Sequence, residues 1–204
     1  MRQLDGLYWP ESDVTARKAL VDRVSEDVDV LLRHVSGRRL VVQAGGNVGV
    51  YPLELKKHFD NVWTFEPDPD NFACLWENVG GHDGIMVMQG ALGDEHARMD
   101  VENPQPNNCG CVRLTEGRAV WVVPLDSFPV AGLDALWLDV EGLELSVLKG
   151  AVKTIERYHP VIMFENRGHH RHYGVEDGDI EAWLGERGYR YADRSGNDEV
   201  WKHG

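Results

Sequence analysis

The sequence predicts an α/β fold built on a doubly wound, mostly parallel sheet. Short apolar runs alternate with helical patterns along most of the chain, an arrangement that is typical of βαβ units. One of these runs, Ala-Leu-Trp-Leu at 135–138, is apolar throughout, which indicates a strand that is buried on both faces. The last two runs, 189–192 and 199–202, flank the turn residues 194–197 and predict an antiparallel hairpin.

The first 37 residues are predicted to form an N-terminal segment ahead of the sheet. Residues 12–35 of this segment have the pattern of an amphipathic helix, because apolar side chains recur there at helical spacing, and Gly37 ends the pattern. The remaining part, 38–204, carries the sheet. Its first elements are a strand at 39–44, a helix near 48–58, a strand at 61–66, a helix from Pro67 to about 79, and a strand at 85–88.

Residues 96–127 interrupt this alternation and predict a β insertion. Two strand-like runs, 98–102 and 119–123, flank a long polar loop at 103–108. Loops of this length in compact domains are often lids or binding segments, and a β-hairpin without a functional role is the alternative. After the insertion the predicted elements are a strand at 135–138, a helix at 143–157, a strand at 160–164 and a helix at 177–187.

A glycine-dense turn follows the first strand of the sheet. Gly45, Gly46 and Gly49 stand at relative positions 1, 2 and 5, whereas a dinucleotide fingerprint has glycines at 1, 3 and 6. The chain also lacks the G-x-x-x-x-G-K-[ST] loop that cradles a triphosphate. A smaller nucleoside without phosphates, such as S-adenosylmethionine, fits this turn better, and an ordinary structural turn is the alternative.

Three predicted strands end on an acid, namely Glu66, Asp139 and Glu165. The carboxyl ends of parallel strands meet at one edge of the sheet, and ligands bind there near the point where the strand order reverses. We therefore expect the three acids at one rim, and this coincidence predicts an active site. Glu66 also ends the strand that comes after the glycine turn and its helix. In nucleotide-binding α/β folds, a carboxylate at this position accepts hydrogen bonds from the ribose hydroxyls.

The composition limits the partners and the compartment. A formal net charge of −13, with 21 Lys plus Arg against 34 acids, disfavours nucleic acid as a partner, because neutralising phosphates requires a basic surface. No apolar run reaches 18 residues and the N-terminus lacks the apolar core of a signal peptide, so we expect no membrane association. Cys74, Cys109 and Cys111 are too few and too uneven for a disulfide framework, which predicts a cytoplasmic protein. The oligomeric state is left open.

Four segments of the chain together resemble the FkbM family of S-adenosylmethionine-dependent methyltransferases. The most specific is Leu-Asp-Val-Glu-Gly-Leu-Glu at 138–144, followed by Leu-Lys-Gly-Ala at 148–151. The others are Val-Gln-Ala-Gly-Gly-Asn-Val-Gly at 42–49, Phe-Glu-Pro at 65–67 with Asn-Val at 78–79, and Pro-Val-Ile-Met-Phe-Glu at 160–165. The resemblance implies a class I methyltransferase fold, with a seven-stranded sheet whose last strand is antiparallel.

The resemblance also implies which residues bind the cofactor. The methionine end of S-adenosylmethionine would meet the glycine turn, its ribose would meet Glu66, and Asp139 would lie closest to the sulfonium. Gln43 departs from the family, which usually carries an acid there, so its contact near the methionine amino group is expected to be weaker. The full predicted set is Gln43, Gly45, Asn47, Gly49, Glu66, Pro67, Ala91, Leu92 and Asp139.

The candidate catalytic residues are Asp139, Glu141, Glu165 and His169. Methyl transfer depends mainly on alignment in a dry pocket, and a base that removes the acceptor's proton adds roughly 10²–10⁴-fold. Three of the four, Asp139, Glu165 and His169, are equally acceptable as that base, whereas Glu141 could position the acceptor or cap the following helix. The histidine-rich loop at 169–172 is compatible with a solvated loop, a substrate-facing lid or base, or a metal site.

A divalent cation is a further hypothesis. Catechol-type O-methyltransferases carry a similar acid after the fourth strand and an acid–Asn pair after the fifth, as Asp139 and the pair Glu165 and Asn166 do here. Such oxygen ligands suit magnesium or calcium. The alternative is that these side chains only orient the substrate.

The sequence thus predicts an S-adenosylmethionine-dependent methyltransferase that acts on a small-molecule acceptor. O-methylation of a small or sugar-like hydroxyl is the leading hypothesis, and N-methylation of a small amine is a second one in the same class. A non-catalytic module that binds S-adenosylmethionine or a nucleoside is the alternative from another class.

Overall fold

The structure is a computed structural model that describes the whole chain, residues 1–204, except for the side chain of Ala19. The helices in chain order are α1 (Ala16–Leu32), α2 (Val50–Lys56), α3 (Pro69–Val79), α4 (Glu144–Lys149), α5 (Val152–Tyr158) and α6 (Asp179–Glu186). The strands are β1 (Arg2–Leu4), β2 (Leu7–Trp9), β3 (Leu40–Ala44), β4 (Asn61–Glu66), β5 (Ile85–Gln89), β6 (Ala91–Leu92), β7 (Ala97–Glu102), β8 (Arg113–Glu116), β9 (Val120–Val123), β10 (Ala135–Leu138), β11 (Val161–Glu165), β12 (Tyr189–Ser195) and β13 (Asp198–His203).

A seven-stranded sheet forms the centre of the fold, in the order β12-β13-β11-β10-β3-β4-β5. The neighbours from β11 to β5 pair in parallel, whereas β13 runs antiparallel to both β11 and β12. The predicted doubly wound sheet with an antiparallel last strand is therefore confirmed. The strand order reverses between β3 and β10, and a crevice opens outside the carboxyl ends of strands at such a point.

Helices cover both faces of this sheet, so its strands are apolar in both directions. Leu31 of α1 belongs to the same hydrophobic cluster as Trp137 of β10. Leu184 of α6 belongs to a second cluster, together with Leu136 of β10. All four residues of β10 are buried, as the sequence predicts for a central strand.

The segment between β5 and β10 forms a smaller sheet in the order β6-β9-β7-β8. Strand β6 pairs in parallel with β9, and β7 pairs antiparallel with β8 and β9. Strand β8 and the N-terminal hairpin of β1 and β2 have no counterpart among the predicted elements. Both are short strands of mixed polarity, so their sequences carry little periodic signal.

Two predicted helices differ from the observed ones. The helix predicted at 12–35 spans only Ala16–Leu32. The Asp13 carboxylate accepts the backbone N–H groups of Ala16 and Arg17 and so caps its first turn. The helix predicted at 143–157 is broken into α4 and α5. A Cβ at Gly150 would lie 1.8 Å from the Gly93 carbonyl oxygen, so a glycine is needed where the chain between the two helices passes the residue after β6.

None of the described helices combines the length and the apolar composition that are needed to cross a lipid bilayer.

Candidate active site

A pocket opens at the rim where the strand order reverses. Its floor is made by the ends of β3, β4 and β10, and its cover is made by the insertion and by α1. It brings together most of the predicted site residues, although their roles stay predictions. Those that line it are Gly45, Asn47, Glu66, Pro67, Ala91, Leu92, Asp139 and Glu141.

The glycine turn has the shape it needs to bring β3 and β10 together. Gly45 has φ +93°, and a Cβ there would lie 1.8 Å from the Asp139 carbonyl oxygen. The backbone N–H groups of Gly45 and Gly46 donate to the Phe65 carbonyl at 3.0 and 2.8 Å, which ties the turn to β4. Asn47 follows with φ +47°, a conformation that few residues other than glycine tolerate as well as asparagine does.

Glu66 points its carboxylate at this turn. One oxygen accepts the Asn47 backbone N–H at 2.7 Å and the other accepts the Asp68 backbone N–H at 2.9 Å. The residue is only 3% exposed, and this burial raises the pKa of its carboxyl to about 8 against the opposing effect of the two N–H donors. Each oxygen keeps a second lone pair, so the carboxylate can still accept ligand hydroxyls.

The insertion loop is hydrogen-bonded over the pocket. The Cys109 carbonyl oxygen accepts the side-chain amides of Asn47 at 3.0 Å and Asn71 at 2.8 Å. The Cys109 backbone N–H donates to Asp13 at 3.1 Å, which joins the loop to the start of α1. Burial raises the pKa of the Cys109 thiol, and we therefore assign this cysteine a structural role.

Two predicted cofactor ligands, Gln43 and Gly49, are not among the described residues that line the pocket. The Gln43 amide nitrogen donates to the Gly45 carbonyl at 2.6 Å, and its oxygen accepts the Thr64 hydroxyl at 2.7 Å. A Cβ at Gly49 would lie 2.8 Å from a methyl carbon of Val79, so this glycine lets α2 approach α3. The structure therefore gives both residues a packing reason for their identity.

A second cavity adjoins the first and shares Glu141 with it. The insertion lines one side of this cavity and the histidine-rich loop lines the other. The Tyr173 hydroxyl donates to the Leu114 carbonyl at 2.9 Å and accepts the Leu114 N–H at 3.2 Å, which holds the two walls together. The lining residues are Pro104, Gln105, Cys111, Arg113, Glu141, His169 and His172.

Glu141 and His169 are in direct contact at the junction of the two cavities. Glu141 Oε2 lies 2.6 Å from His169 Nδ1. Glu141 has φ +53°, a strained conformation for a non-glycine residue, and a Cβ at Gly142 would lie 2.6 Å from the His169 carbonyl carbon. Burial and the neighbouring Asp139 raise the pKa of Glu141 to about 8. Burial and the Arg167 charge lower the pKa of His169 below 6.5.

The predicted divalent ion at Asp139, Glu165 and Asn166 is not supported. The Asn166 amide donates to Glu181 at 3.0 Å and to Glu199 at 3.1 Å, and Glu165 pairs with Arg167 at 2.8 Å.

The carboxylates of Glu141 and Glu165 and the ring of His169 form another group whose atoms lie within 4.8 Å of one another, which is close enough for a metal ion. However, ligands at about 2.1 Å from one ion lie about 3 Å or more apart. The 2.6 Å contact of Glu141 with His169 therefore fits a hydrogen bond better.

Carboxylates form a row across three neighbouring strands at this rim. Glu165 pairs with Asp198 between β11 and β13, and Asp139 follows Leu138, which pairs with Phe164. Burial raises the pKa of Asp198 to about 7. Burial together with the Asp27 charge raises the pKa of Asp139, and burial together with the Asp139 charge raises that of Glu165. Sequence reasoning missed Asp198, although the register of the predicted hairpin against the fifth strand could have placed it beside Glu165.

These raised pKa values predict that the protein without ligand loses stability as the pH rises from about 5 to 9. In the unfolded chain carboxyl groups titrate near pH 4, so between those limits the folded state binds more protons than the unfolded state, and its stability falls with pH. Glu66 and Glu141, with pKa values of about 8, contribute to this fall until the pH exceeds 8. Urea unfolding at pH 5.5, 7 and 8.5 measures it. Glu141→Gln should flatten the profile, and a stability that rises over this range would contradict the assignment.

The sheet topology and the position of the pocket are those of a class I methyltransferase fold. The sheet order, the antiparallel seventh strand and the pocket between β3 and β10 all belong to that class. A sequence model described as the methyltransferase FkbM domain matches residues 43–191. The chain belongs to the FkbM methyltransferase family.

The proteins that are similar to this chain include one curated relative and two solved structures, as follows. It is 26% identical over 167 residues to the hexuronic acid methyltransferase AglP of Haloferax volcanii, an alignment that covers 78% of this chain and 66% of that protein. The methyltransferase FkbM structure from Methylobacillus flagellatus is 19% identical with a TM-score of 0.53, covering 81% of this chain and 43% of the other. An S-adenosylmethionine-dependent methyltransferase structure from Aquifex aeolicus is 14% identical with a TM-score of 0.52, covering 93% of both chains. The two structures support the fold alone.

Proposed function

We propose that this protein is an S-adenosylmethionine-dependent O-methyltransferase that acts on a hydroxyl group of a small, sugar-like acceptor. One observation carries the proposal. Glu141 lines both cavities and contacts the His169 ring at 2.6 Å, so a base stands at the boundary between a nucleoside-type pocket and a second, more polar cavity.

The residues of the first pocket fit a nucleoside cofactor. Glu66 can accept both hydroxyls of a ribose, because each of its oxygens keeps a free lone pair. An apolar wall for the adenine ring is supplied by Phe65, Ala91 and Leu92. Bound there, S-adenosylmethionine supplies a methyl group on a positively charged sulfur.

His169 is the general base in this proposal, and Glu141 positions it. When Glu141 is ionised, it accepts the hydrogen that the neutral ring carries on Nδ1, and Nε2 keeps a lone pair for the acceptor hydroxyl. The lowered pKa of His169 keeps the ring neutral at pH 7. The carboxylate also stabilises the imidazolium that forms when the ring takes the proton, as in other histidine–carboxylate pairs.

A hydroxyl acceptor is favoured over an amine because a hydroxyl holds its proton at neutral pH and so benefits more from a base. The name of the Haloferax relative, a hexuronic acid methyltransferase, supports a sugar-like acceptor. N-methylation remains the alternative within this class. A non-catalytic binding module is disfavoured by the paired Glu141 and His169, which a module that only binds a nucleoside does not need.

Two measurements test the proposal. Thermal unfolding is followed with S-adenosylmethionine, S-adenosylhomocysteine, NAD and ATP, and only the first two should stabilise the protein. A ligand at 100 times its Kd adds about 2.7 kcal/mol. Neutral sugars, uronic acids and small amines are then screened as acceptors, and fragmentation of the product by mass spectrometry locates the methyl group. Stabilisation by NAD alone, or methylation of amines alone, would refute the proposed function.

A further inference from the structure

Tyr51 and Asp27 form a hydrogen-bonded pair beside the first pocket. Tyr51, on α2, lines the pocket together with Gly45 and Asp139. Its ring packs edge-on against Trp137, with the ring centroids 4.9 Å apart. Its hydroxyl donates to Asp27 Oδ2 at 2.6 Å. No pattern in the sequence links these two residues, because they come from different helices.

Asp27 is a buried acceptor that cannot reach the pocket itself. It is 1% exposed, and its second oxygen accepts the Ser195 hydroxyl and the Arg23 guanidinium. The carboxylate is therefore fixed from three sides, by α1, by α2 and by β12. Its effect on a ligand must be transmitted through the hydroxyl of Tyr51 and through its charge.

This pairing decides which ligand groups the Tyr51 oxygen can bind. A phenol has one hydrogen to donate and lone pairs to accept with. Its hydrogen is committed to Asp27, and burial together with that hydrogen bond raises the pKa of the phenol, so the proton stays in place. A group that meets this oxygen from the pocket must therefore be a donor, and the nearby Asp139 favours a donor with positive charge.

Gln43 cannot accept a donor group of the ligand in the present arrangement. Its amide is satisfied by Gly45 and Thr64, and it lies outside the pocket lining of the described chain. Glu66 provides the acceptor for the ribose, so the part of the pocket near Asp139 and Tyr51 is left for the opposite end of the cofactor.

We propose that Tyr51, oriented by Asp27, binds the ammonium group at the amino-acid end of the cofactor. This inference rests on the proposed function, since it assumes that S-adenosylmethionine occupies the pocket. Tyr51 is a binding residue in this scheme and Asp27 is a positioning residue.

The test compares two ligands that differ only in the ammonium group. S-adenosylhomocysteine and its deaminated analogue, in which hydrogen replaces the ammonium, are titrated by calorimetry into the wild type and into Tyr51→Phe. The variant should bind S-adenosylhomocysteine about tenfold more weakly, which corresponds to about 1.4 kcal/mol. Its affinity for the deaminated analogue should stay within about twofold of the wild type.

Matched variants separate this role from a general effect on the fold. Tyr158→Phe makes the same change at a phenol that donates to the Val130 carbonyl at 2.9 Å outside the pocket, and both affinities should be unchanged. Asp27→Asn should reproduce the selective loss, and if it does not fold, Tyr51→Phe decides alone. Equal losses for both ligands in Tyr51→Phe, or no loss, overturn the inference and leave the proposed function standing. A wild type that binds neither ligand overturns both.

Discussion

Replacing His169 with glutamine is expected to lower kcat by about 10²–10⁴-fold, because it removes the base that takes the proton from the acceptor hydroxyl. The cofactor should bind almost as tightly as before, since His169 lines the second cavity and not the first. Steady-state kinetics at a saturating cofactor concentration, with calorimetry of cofactor binding, separates the two effects. His82→Gln is the matched control, because this exposed histidine lies in the turn after α3 and lines neither of the two cavities.

The pH dependence of kcat provides a second test of the same assignment. Activity should fall at acidic pH, once the pH drops below the lowered pKa of His169 and its ring is protonated, and it should rise towards pH 8 as Glu141 ionises and can stabilise the imidazolium. In Glu141→Gln the rise towards pH 8 should disappear while some activity remains. A His169→Gln enzyme with an unchanged kcat and an unchanged pH profile would eliminate His169 as the base.

Replacing Glu66 with glutamine is expected to weaken binding of S-adenosylhomocysteine by about 10²-fold or more. The carboxylate would lose two hydrogen bonds from ribose hydroxyls, and hydrogen bonds to a charged group contribute about 1.5–3 kcal/mol each. The new amide would also point a donor at the Asn47 or Asp68 N–H, both of which need an acceptor. Calorimetry measures the loss. The exposed Glu77 of α3, changed to glutamine, serves as the control for a lost charge.

The raised pKa of Glu66 also predicts how the affinity for the cofactor changes with pH. Because the ionised carboxylate is the form that accepts the hydroxyls and its pKa is about 8, wild-type affinity should increase between pH 6.5 and 9. Glu66→Gln should show little change over that range. An affinity that is the same in both proteins would mean that the ribose, and with it the cofactor, lies elsewhere.

The amino-acid sequence determined the succession of strands and helices along the chain and the rim of the sheet at which the site lies. Both follow from local patterns, since buried parallel strands are continuously apolar and their carboxyl ends converge on one edge. Glu66 and Glu165 end two such strands, Asp139 directly follows a third, and the structure places each of them at that rim. Gly45 could be read in the same way, because a positive φ and a close approach to β10 both require a glycine.

Only the tertiary structure decided which side chains meet across long separations in the chain. The contact of Glu141 with His169, the hydrogen bonds of Cys109 with Asn47 and Asn71, and the pair of Tyr51 and Asp27 each join segments without a common period or motif. The same holds for Gln43, whose amide turned out to be satisfied within the sheet. Local periodicity indicates which face of an element is buried, whereas the partners on that face are fixed only when separate elements pack. For this reason the sequence predicted where the site lies but not which side chains contact each other within it.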